Sequence, residues 1–325
     1  MTKKIVSTLF AIIITVVLVA VLFSQINAHD IFIVIKGIGP ISLLIGFILY
    51  SFSYVFRSLR FYFLLNKEIG IKDLFEIICV HNMANNVLPA RTGELSFVYL
   101  LKKLHNRTIA EGVVLLTMAR VFDLIAVSLM FFVSVYEIKS MSTEIMDIVL
   151  LIALFMFSLI ITLVLLIYSG TTFSRYVWRL FAALRLDDND RAVFVLSKIT
   201  HLMENFDKIK KLRKIVFIEL ILSSLGVWLS MYFFNYVLVN AMNIHMSYSL
   251  VVFATSFAIF TTILPIQGIG GFGTLEGGWV IGFVAAGLTK EVAISSGFSY
   301  HIIILVYFLI LGGWGSLMLK LKDQR

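Results

Sequence analysis

Long apolar runs separated by short basic segments organise this chain. Uninterrupted runs lie at about 5–25, 41–60, 112–135, 146–168, 215–238 and 292–317. Each is close to the ~20 residues that an α-helix needs to cross ~30 Å of hydrocarbon. Two further apolar stretches, 73–103 and 248–289, are interrupted in the middle, the first by "LPARTG" and the second by "LPIQGIGGFG". The pattern therefore predicts an all-α polytopic membrane protein, a single membrane domain over 1–325. It has about six full spans and two broken-helix hairpins.

The only sizeable polar segment is 169–214. Within it Phe173, Val177, Leu180, Phe181 and Leu184 share one helical face, and Arg175 and Arg179 take the opposite one. This is the pattern of a helix lying on an anionic membrane surface. The "LDDND" at 186–190 reads as a turn and N-cap before a second amphipathic helix, with Leu196, Ile199, Met203 and Phe206 as its apolar positions.

Composition agrees with lipid as the solvent: 60% of residues are hydrophobic and 14% charged. A net charge of +8 raises the question of nucleic acid, but the basic residues sit at the ends of apolar runs, where membrane orientation requires them. One cysteine, Cys79, excludes a disulfide framework. Residues 5–29 carry no charged side chain and follow Lys3 and Lys4. A cleaved signal peptide is the competing reading, but the run exceeds the ~7–15-residue core of such peptides. A retained first span is expected.

Charge also orients the interrupted stretches. With Lys3 and Lys4 in the cytoplasm, and each stretch entering and leaving on one side, the ten basic residues of 169–214 fall inside. So do Lys67, Lys72, Lys102, Lys103 and Arg107, and both termini. A single crossing by the first stretch would send the ten-residue cluster outside. Its second limb, 93–103, also rises only ~16 Å. Two re-entrant hairpins entering from opposite faces are expected, each tip carrying Leu-Pro followed by Gly and Glu. Opposed broken elements resemble an inverted repeat, which places a binding site where they meet. Two unrelated proline kinks are the alternative.

Candidate chemistry gathers at these breaks. Asn82, Asn85, Asn86 and Pro89 recur at i, i+3, i+4 and i+7, so one face of the first limb is polar and must look into protein or water. Pro89 ends that limb, Gly93 lets the chain turn, and Glu94 opens the returning helix, where a carboxylate suits the positive dipole end. Arg91 lies at the tip. Charges at membrane depth indicate function by default, though Arg91 with Glu94, and Arg120 with Asp123 one turn on, also read as ion pairs. Arg57 and Arg60 share a face near the end of the second span. They either snorkel to the surface or line a phosphate-binding vestibule.

In the second hairpin Pro265 breaks the helix. Gly268, Gly270 and Gly273 spell G-x-G-x-x-G without the βαβ context that a dinucleotide site requires. Their backbone N–H groups, with a helix starting at about Thr274, suit an anion. Glu276 is a cap or a proton carrier. His301 is a buried hydrogen-bonded side chain or a member of a relay. No Walker motif, metal-ligand cluster or nucleophile with a partner is present, so neither enzyme, cofactor nor metal is expected.

At "NNVLPARTGELSFVYLLKK", "ARVFDL" and "LPIQGIGGFGTLEGG" the chain resembles the lysylphosphatidylglycerol synthase transmembrane, or flippase-like, family of bacterial and archaeal membrane proteins. The resemblance spans nearly the whole chain. It implies a lipid-translocating domain in the cytoplasmic membrane, without the soluble synthase domain that such a region precedes in aminoacyl-phospholipid synthases. The substrates it implies are an anionic phospholipid, an aminoacyl-phospholipid or a polyprenyl-phosphate lipid. The partners it allows are a second copy of the chain and a separate lipid-modifying enzyme. Asn86, Pro89, Arg91, Gly93, Glu94, Arg120, Asp123, Pro265, Gly270 and Glu276 carry it. In this reading Arg91, Arg120, Arg57 and Arg60 hold a headgroup, the amides and Gly270 wet its path, and Glu94, Asp123 and Glu276 balance charge or carry a proton. A membrane enzyme acting on a lipid phosphate, and an ion-coupled transporter of a soluble solute, are the alternatives.

Overall fold

The computed structural model describes residues 24, 28–88, 91–138, 143–183, 190–210, 213–263 and 269–324. The predicted first span, Pro89, Pro265 and most of "LDDND" lie outside the described residues. Within them the chain is all-helical: α1 (Ala28–Gly37), α2 (Pro40–Leu64), α3 (Ile71–Val87), α4 (Glu94–His105), α5 (Ile109–Glu137), α6 (Thr143–Ser169), α7 (Thr171–Ala183), α8 (Asp190–Lys210), α9 (Lys214–Ala241), α10 (Tyr248–Ile263), α11 (Thr274–Ala285) and α12 (Lys290–Asp323). The helices α2, α5, α6, α9 and α12 contain stretches long and apolar enough to cross a membrane, matching five of the six expected spans. The protein is a multi-pass membrane protein. The short helix α1 was not anticipated.

Polarity is distributed as lipid demands. Leu44, Ile48 and Phe52 of α2, Leu150, Leu151, Leu154 and Phe155 of α6, and Leu309 and Ile310 of α12 all face outward. The buried polar residues are largely serines and threonines, and many return their hydroxyl to a carbonyl three or four residues back. Ser53 donates to Tyr50, Ser58 to Tyr54 and Ser256 to Val252. Such back-bonding satisfies a hydroxyl where no water can. The spans differ in position. For α5, 61% of its apolar window is buried, against 6% for α6, so α5 is central and α6 is a peripheral helix wrapped by lipid.

Both interrupted stretches fold back on themselves as expected. The first limb α3 ends at Val87, and Leu88 leaves it in extended backbone. The returning α4 runs antiparallel: His81 Nδ1 lies 3.4 Å from Ser96 Oγ, and His81 packs edge-on against Phe97. Gly93 is required at the turn, because a Cβ there would fall 2.3 Å from the carbonyl of Ala84. The limbs of the second hairpin, α10 and α11, approach as closely. A Cβ on Gly282 would lie 2.0 Å from the Ala254 oxygen, and one on Gly278 2.7 Å from Ala258 Cα.

The long helix α12 serves as a ruler for the two hairpins. At its C-terminal end Lys322 reaches Asp73 and Glu76, each at 2.6 Å, and further back Gly315 abuts Cys79 and Gly312 abuts Met83. So α3 climbs α12 from that end. From the other end, Trp279 packs on Gly297 and Glu276 meets His301. The hairpins thus run inward from opposite ends of α12, and α3 touches the tip turn Ile269–Gly271 of the second. Each hairpin also crosses over to the other half: α3 packs on α12, and α10 packs on α5, with Phe131 against Phe253 and Phe257. Span, hairpin, span occurs twice, over 40–137 and 214–323, with α2 and α9 packed antiparallel between the halves. This is the inverted arrangement expected from the two tips.

The segment 169–214 supplies α7 and α8. On α7, Phe173 and Leu180 stay exposed, as an interfacial helix requires. On α8, Leu196, Met203 and Phe206 are buried, so this apolar stripe packs on protein, against α5, α6 and α7.

Candidate functional site

Between the hairpins lies a cavity of about 180 Å³. Five helices besides the second hairpin wall it: α2 gives Arg57 and Arg60, α3 gives Asn82, Asn85 and Asn86, α5 gives Arg120 and Asp123, and α9 and α12 give Trp228, Asn235 and Tyr300. Arg91 comes from the first tip. The polar face of α3 predicted from the asparagine spacing is therefore the face it turns to the cavity.

The ion pairs differ from those that sequence proximity suggests. Asp123 pairs with Arg60, 63 positions away, through two hydrogen bonds: Nη1 donates to Oδ1 at 2.7 Å and Nη2 to Oδ2 at 3.2 Å. Trp228 Nε1 also donates to Oδ1, at 2.8 Å, and Arg60 Nη1 reaches Ser224 at 3.2 Å. Arg60 is 2% exposed, which corrects the snorkelling alternative for this residue. Arg120 turns away from Asp123 and donates to Glu94 Oε1 at 2.7 Å. Arg91 reaches the same oxygen at 3.2 Å. The local Arg120–Asp123 pair is thus replaced by two tertiary ones, while the Arg91–Glu94 pair is present as part of a triad.

Charge is left over. Four guanidiniums face two carboxylates, so two positive charges are in excess at the site. Arg57 has no direct ion pair among the described residues: its guanidinium lies over Trp228, 5.9 Å from the centroid, and feels Asp123 only at longer range. Donors and acceptors are left over too. Arg60 Nε, Arg91 Nε, Asn82 Nδ2 and Asn85 Oδ1 are buried without a hydrogen-bond partner. Such groups cost free energy unless something fills the space between them. Arg91 is also held at φ 55°, left-handed backbone that a non-glycine residue adopts at a cost of roughly 1–2 kcal/mol. Strain of this kind concentrates at functional sites.

A second cavity, of about 280 Å³, adjoins the first and shares Arg91, Arg120, Asp123, Trp228, Ile259 and Thr262 with it. Its remaining wall is Thr117, Leu124, Val127, Leu159 and Leu163, so it is apolar and runs toward the lipid-wrapped α6. Together the two reach the ~300–1,000 Å³ of small-molecule sites.

Not every expected residue lines these cavities. Glu94 stands behind Arg91 and Arg120, and Gly93 closes the turn. Glu276 is fully buried: its Oε2 accepts from the Gly273 N–H at 2.7 Å, a helix cap, and its Oε1 lies 2.6 Å from His301 Nδ1. The other ring nitrogen of His301 lies 2.9 Å from the Gly270 carbonyl, and Phe272 stacks on the ring at 4.2 Å. Gly270, at φ 65°, supplies that carbonyl and is not among the cavity-lining residues. Sequence reasoning missed Tyr50, Tyr54, Trp228, Asn235, Trp279 and Tyr300, all of which line the polar cavity. Asn235 was the available signal, as an amide inside an apolar run. Tyr300 donates to it at 2.9 Å.

No group of three or more possible metal ligands occurs among the described residues. Comparison with curated proteins gave no match. Comparison with solved structures gave none either. The family described as "Lysylphosphatidylglycerol synthase TM region" matches residues 8–312. With that match covering nearly all of a chain built as two inverted halves around a cationic cavity, the protein belongs to the lysylphosphatidylglycerol synthase transmembrane-region family.

Proposed function

We propose that the protein is a lipid flippase that moves a phospholipid or polyprenyl-phosphate lipid across the cytoplasmic membrane of a bacterium or archaeon, with both termini cytoplasmic. The observation that carries this reading is the adjacency of the two cavities. One is cationic and lined with unsatisfied amides; the other is apolar and leads to α6; they share a wall at Arg91 and Arg120. A ligand that fits both is amphiphilic. Its phosphate sits among Arg57, Arg91 and Arg120, where guanidinium geometry matches phosphate oxygens. Its chains lie along Leu124, Leu159 and Leu163 and continue into lipid.

The opposed hairpins supply the path. Each acts as a re-entrant element that stops at mid-depth, so the headgroup passes between two tips rather than through a full helix bundle. Membership of a family named for a lipid synthase's membrane region supports a lipid substrate. Transport without chemical modification agrees with the state of the carboxylates: Asp123 at the cavity and Glu94 behind it are both engaged by arginines, and the imidazole on the cavity wall, His81, lies 3.4 Å from Ser96 Oγ.

The test is reconstitution of the purified protein into liposomes with a panel of fluorescent lipids, scored by reduction of the label from outside. Accelerated movement of any anionic or polyprenyl-phosphate lipid supports the reading. Failure across the panel counts against it, and a chemically altered lipid in the mass spectrum favours a membrane enzyme instead.

A further inference from the structure

We infer that the cavity selects lipids whose headgroup is a phosphate ester carrying no ammonium group, and that Arg57 sets this preference. The inference rests on the flippase reading and narrows it. It separates this chain from the cationic lipid in the family's name.

The groups that could hold an ammonium are already paired. An ammonium headgroup needs a carboxylate or an open aromatic face. Asp123, the only carboxylate lining the cavity among the described residues, has both oxygens bound by Arg60 and one bound again by Trp228. Glu94, the next nearest, is shared by Arg91 and Arg120. Glu276 is capped by Gly273 and held by His301 behind the second tip. The aromatic surfaces are also engaged. Trp228 lies under Arg57, while Trp279 stacks with Tyr300 at 4.3 Å and with Phe283 at 4.5 Å. What remains open is neutral and hydrogen-bonding: Asn82 Nδ2 and Asn85 Oδ1 have no partner, while Asn86 and Thr255 beside them already donate to backbone carbonyls. Those groups suit hydroxyls or ester oxygens beside a phosphate.

Of the four guanidiniums at the site, Arg57 is the one without a direct ion pair. Among the described residues no carboxylate lies within ion-pair distance of it: Asp123 attracts it only at longer range and is itself bonded to Arg60, and the Trp228 ring lies 5.9 Å from its guanidinium. Arg57 is partly buried, and drawing such a guanidinium out of water is costly unless an anion joins it. A phosphate does so, and a headgroup whose ammonium cancels that phosphate offers less. Selectivity here is built by repulsion as much as by attraction.

The experiment uses the full chain in liposomes with three probes of identical acyl chains: labelled phosphatidylglycerol, lysyl-phosphatidylglycerol and phosphatidylethanolamine. A fourth, labelled polyprenyl phosphate, separates a glycerolipid source of the phosphate from an isoprenoid one. At least one of the two ammonium-free probes is expected to move about tenfold faster or more than the lysyl lipid. Arg57→Gln is expected to narrow that ratio to about threefold or less, and Arg57→Lys to restore it. Arg57→Met, which keeps the stem over Trp228, stands in if the glutamine variant is not recovered folded. Equal or faster movement of the lysyl lipid overturns the inference while leaving the flippase reading standing. Immobility of all four overturns both. An unchanged ratio in the Arg57 variants removes Arg57 from the proposal and assigns selectivity to the Arg91–Arg120 pair.

Discussion

Arg120 bonds Glu94 at 2.7 Å across two helices, not Asp123 one turn along its own. The contact has a counterpart in the other half of the molecule. Glu94 opens α4 and meets a base 26 positions on; Glu276 sits in the first turn of α11 and meets His301 25 positions on, at 2.6 Å. In each half the carboxylate at the start of the returning limb is latched to the next long helix. The two latches differ in what they face. The first borders the cavity and shares its carboxylate with Arg91, whereas the second is sealed behind the tip.

The sealed latch is scaffolding by this geometry. His301→Ala leaves a Glu276 oxygen buried without its partner, and a buried polar group left unsatisfied costs about 1–3 kcal/mol or more. Thermal unfolding in detergent should show a large drop for His301→Ala. The double variant with Glu276→Gln should recover part of it, because the neutral amide is cheaper to leave buried than a carboxyl group without its partner. A double variant no more stable than the single would show that the pair is not the source of the loss.

Asp123 is predicted to be structural through Arg60. Asp123→Asn strips the countercharge from a guanidinium that is 2% exposed. It should therefore destabilise by several kcal/mol, within the same order as other broken buried pairs. Trp228→Phe removes one hydrogen bond to Asp123 but keeps an aromatic surface, and should cost about 1 kcal/mol. Comparing the two melting temperatures checks the ranking. A Trp228→Phe loss as large as that of Asp123→Asn would mean that the indole, not the guanidinium, holds the carboxylate.

The architecture was legible in the sequence wherever a local rule applied. Lipid forces ~20-residue apolar runs, so α2, α5, α6, α9 and α12 were visible as runs. The Asn82, Asn85 and Asn86 spacing fixed a polar face because helical periodicity is local. Breaks at 88–93 and before Thr274 followed from proline and glycine chemistry. Pairing was not legible, because Arg60 and Asp123 are brought together only by the packing of α2 on α5. Adjacency along one helix suggested Arg120 with Asp123, and tertiary geometry overrode it. The aromatic wall of Tyr50, Tyr54, Trp279 and Tyr300 was hidden for another reason. In a chain with 29 Phe, 12 Tyr and 4 Trp, an aromatic inside a span carries no positional signal.

Close approach of the limbs gives a sharper test of the first hairpin. Gly93→Ala places a Cβ 2.3 Å from the Ala84 backbone, which cannot yield without moving α3 or α4. Overpacking of this sort costs roughly 1–3 kcal/mol or more. Gly39→Ala, with nothing within 4 Å of its Cβ, is the matched control. Melting should fall for the first and hold for the second. Protease sensitivity should rise near the tip only for Gly93→Ala.

Arg91 separates scaffold from function most directly, because its backbone and its side chain make opposite predictions. At φ 55° the residue is strained, and glycine relieves that strain. Its ion pair to Glu94 is replaceable, since Arg120 holds the same oxygen at the shorter distance. Arg91→Gly should therefore melt within about 1 kcal/mol of the native protein, strain relief offsetting the lost contact and the added chain entropy. If the guanidinium meets a headgroup phosphate, the same variant should lose lipid movement about tenfold or more, the usual scale for one buried charge-assisted contact of ~1.5–3 kcal/mol. Arg91→Lys keeps the charge without the planar fork and should fall between. Measuring melting and translocation on one preparation decides the question. A variant that is equally stable and equally active would return Arg91 to the role of a spare partner for Glu94.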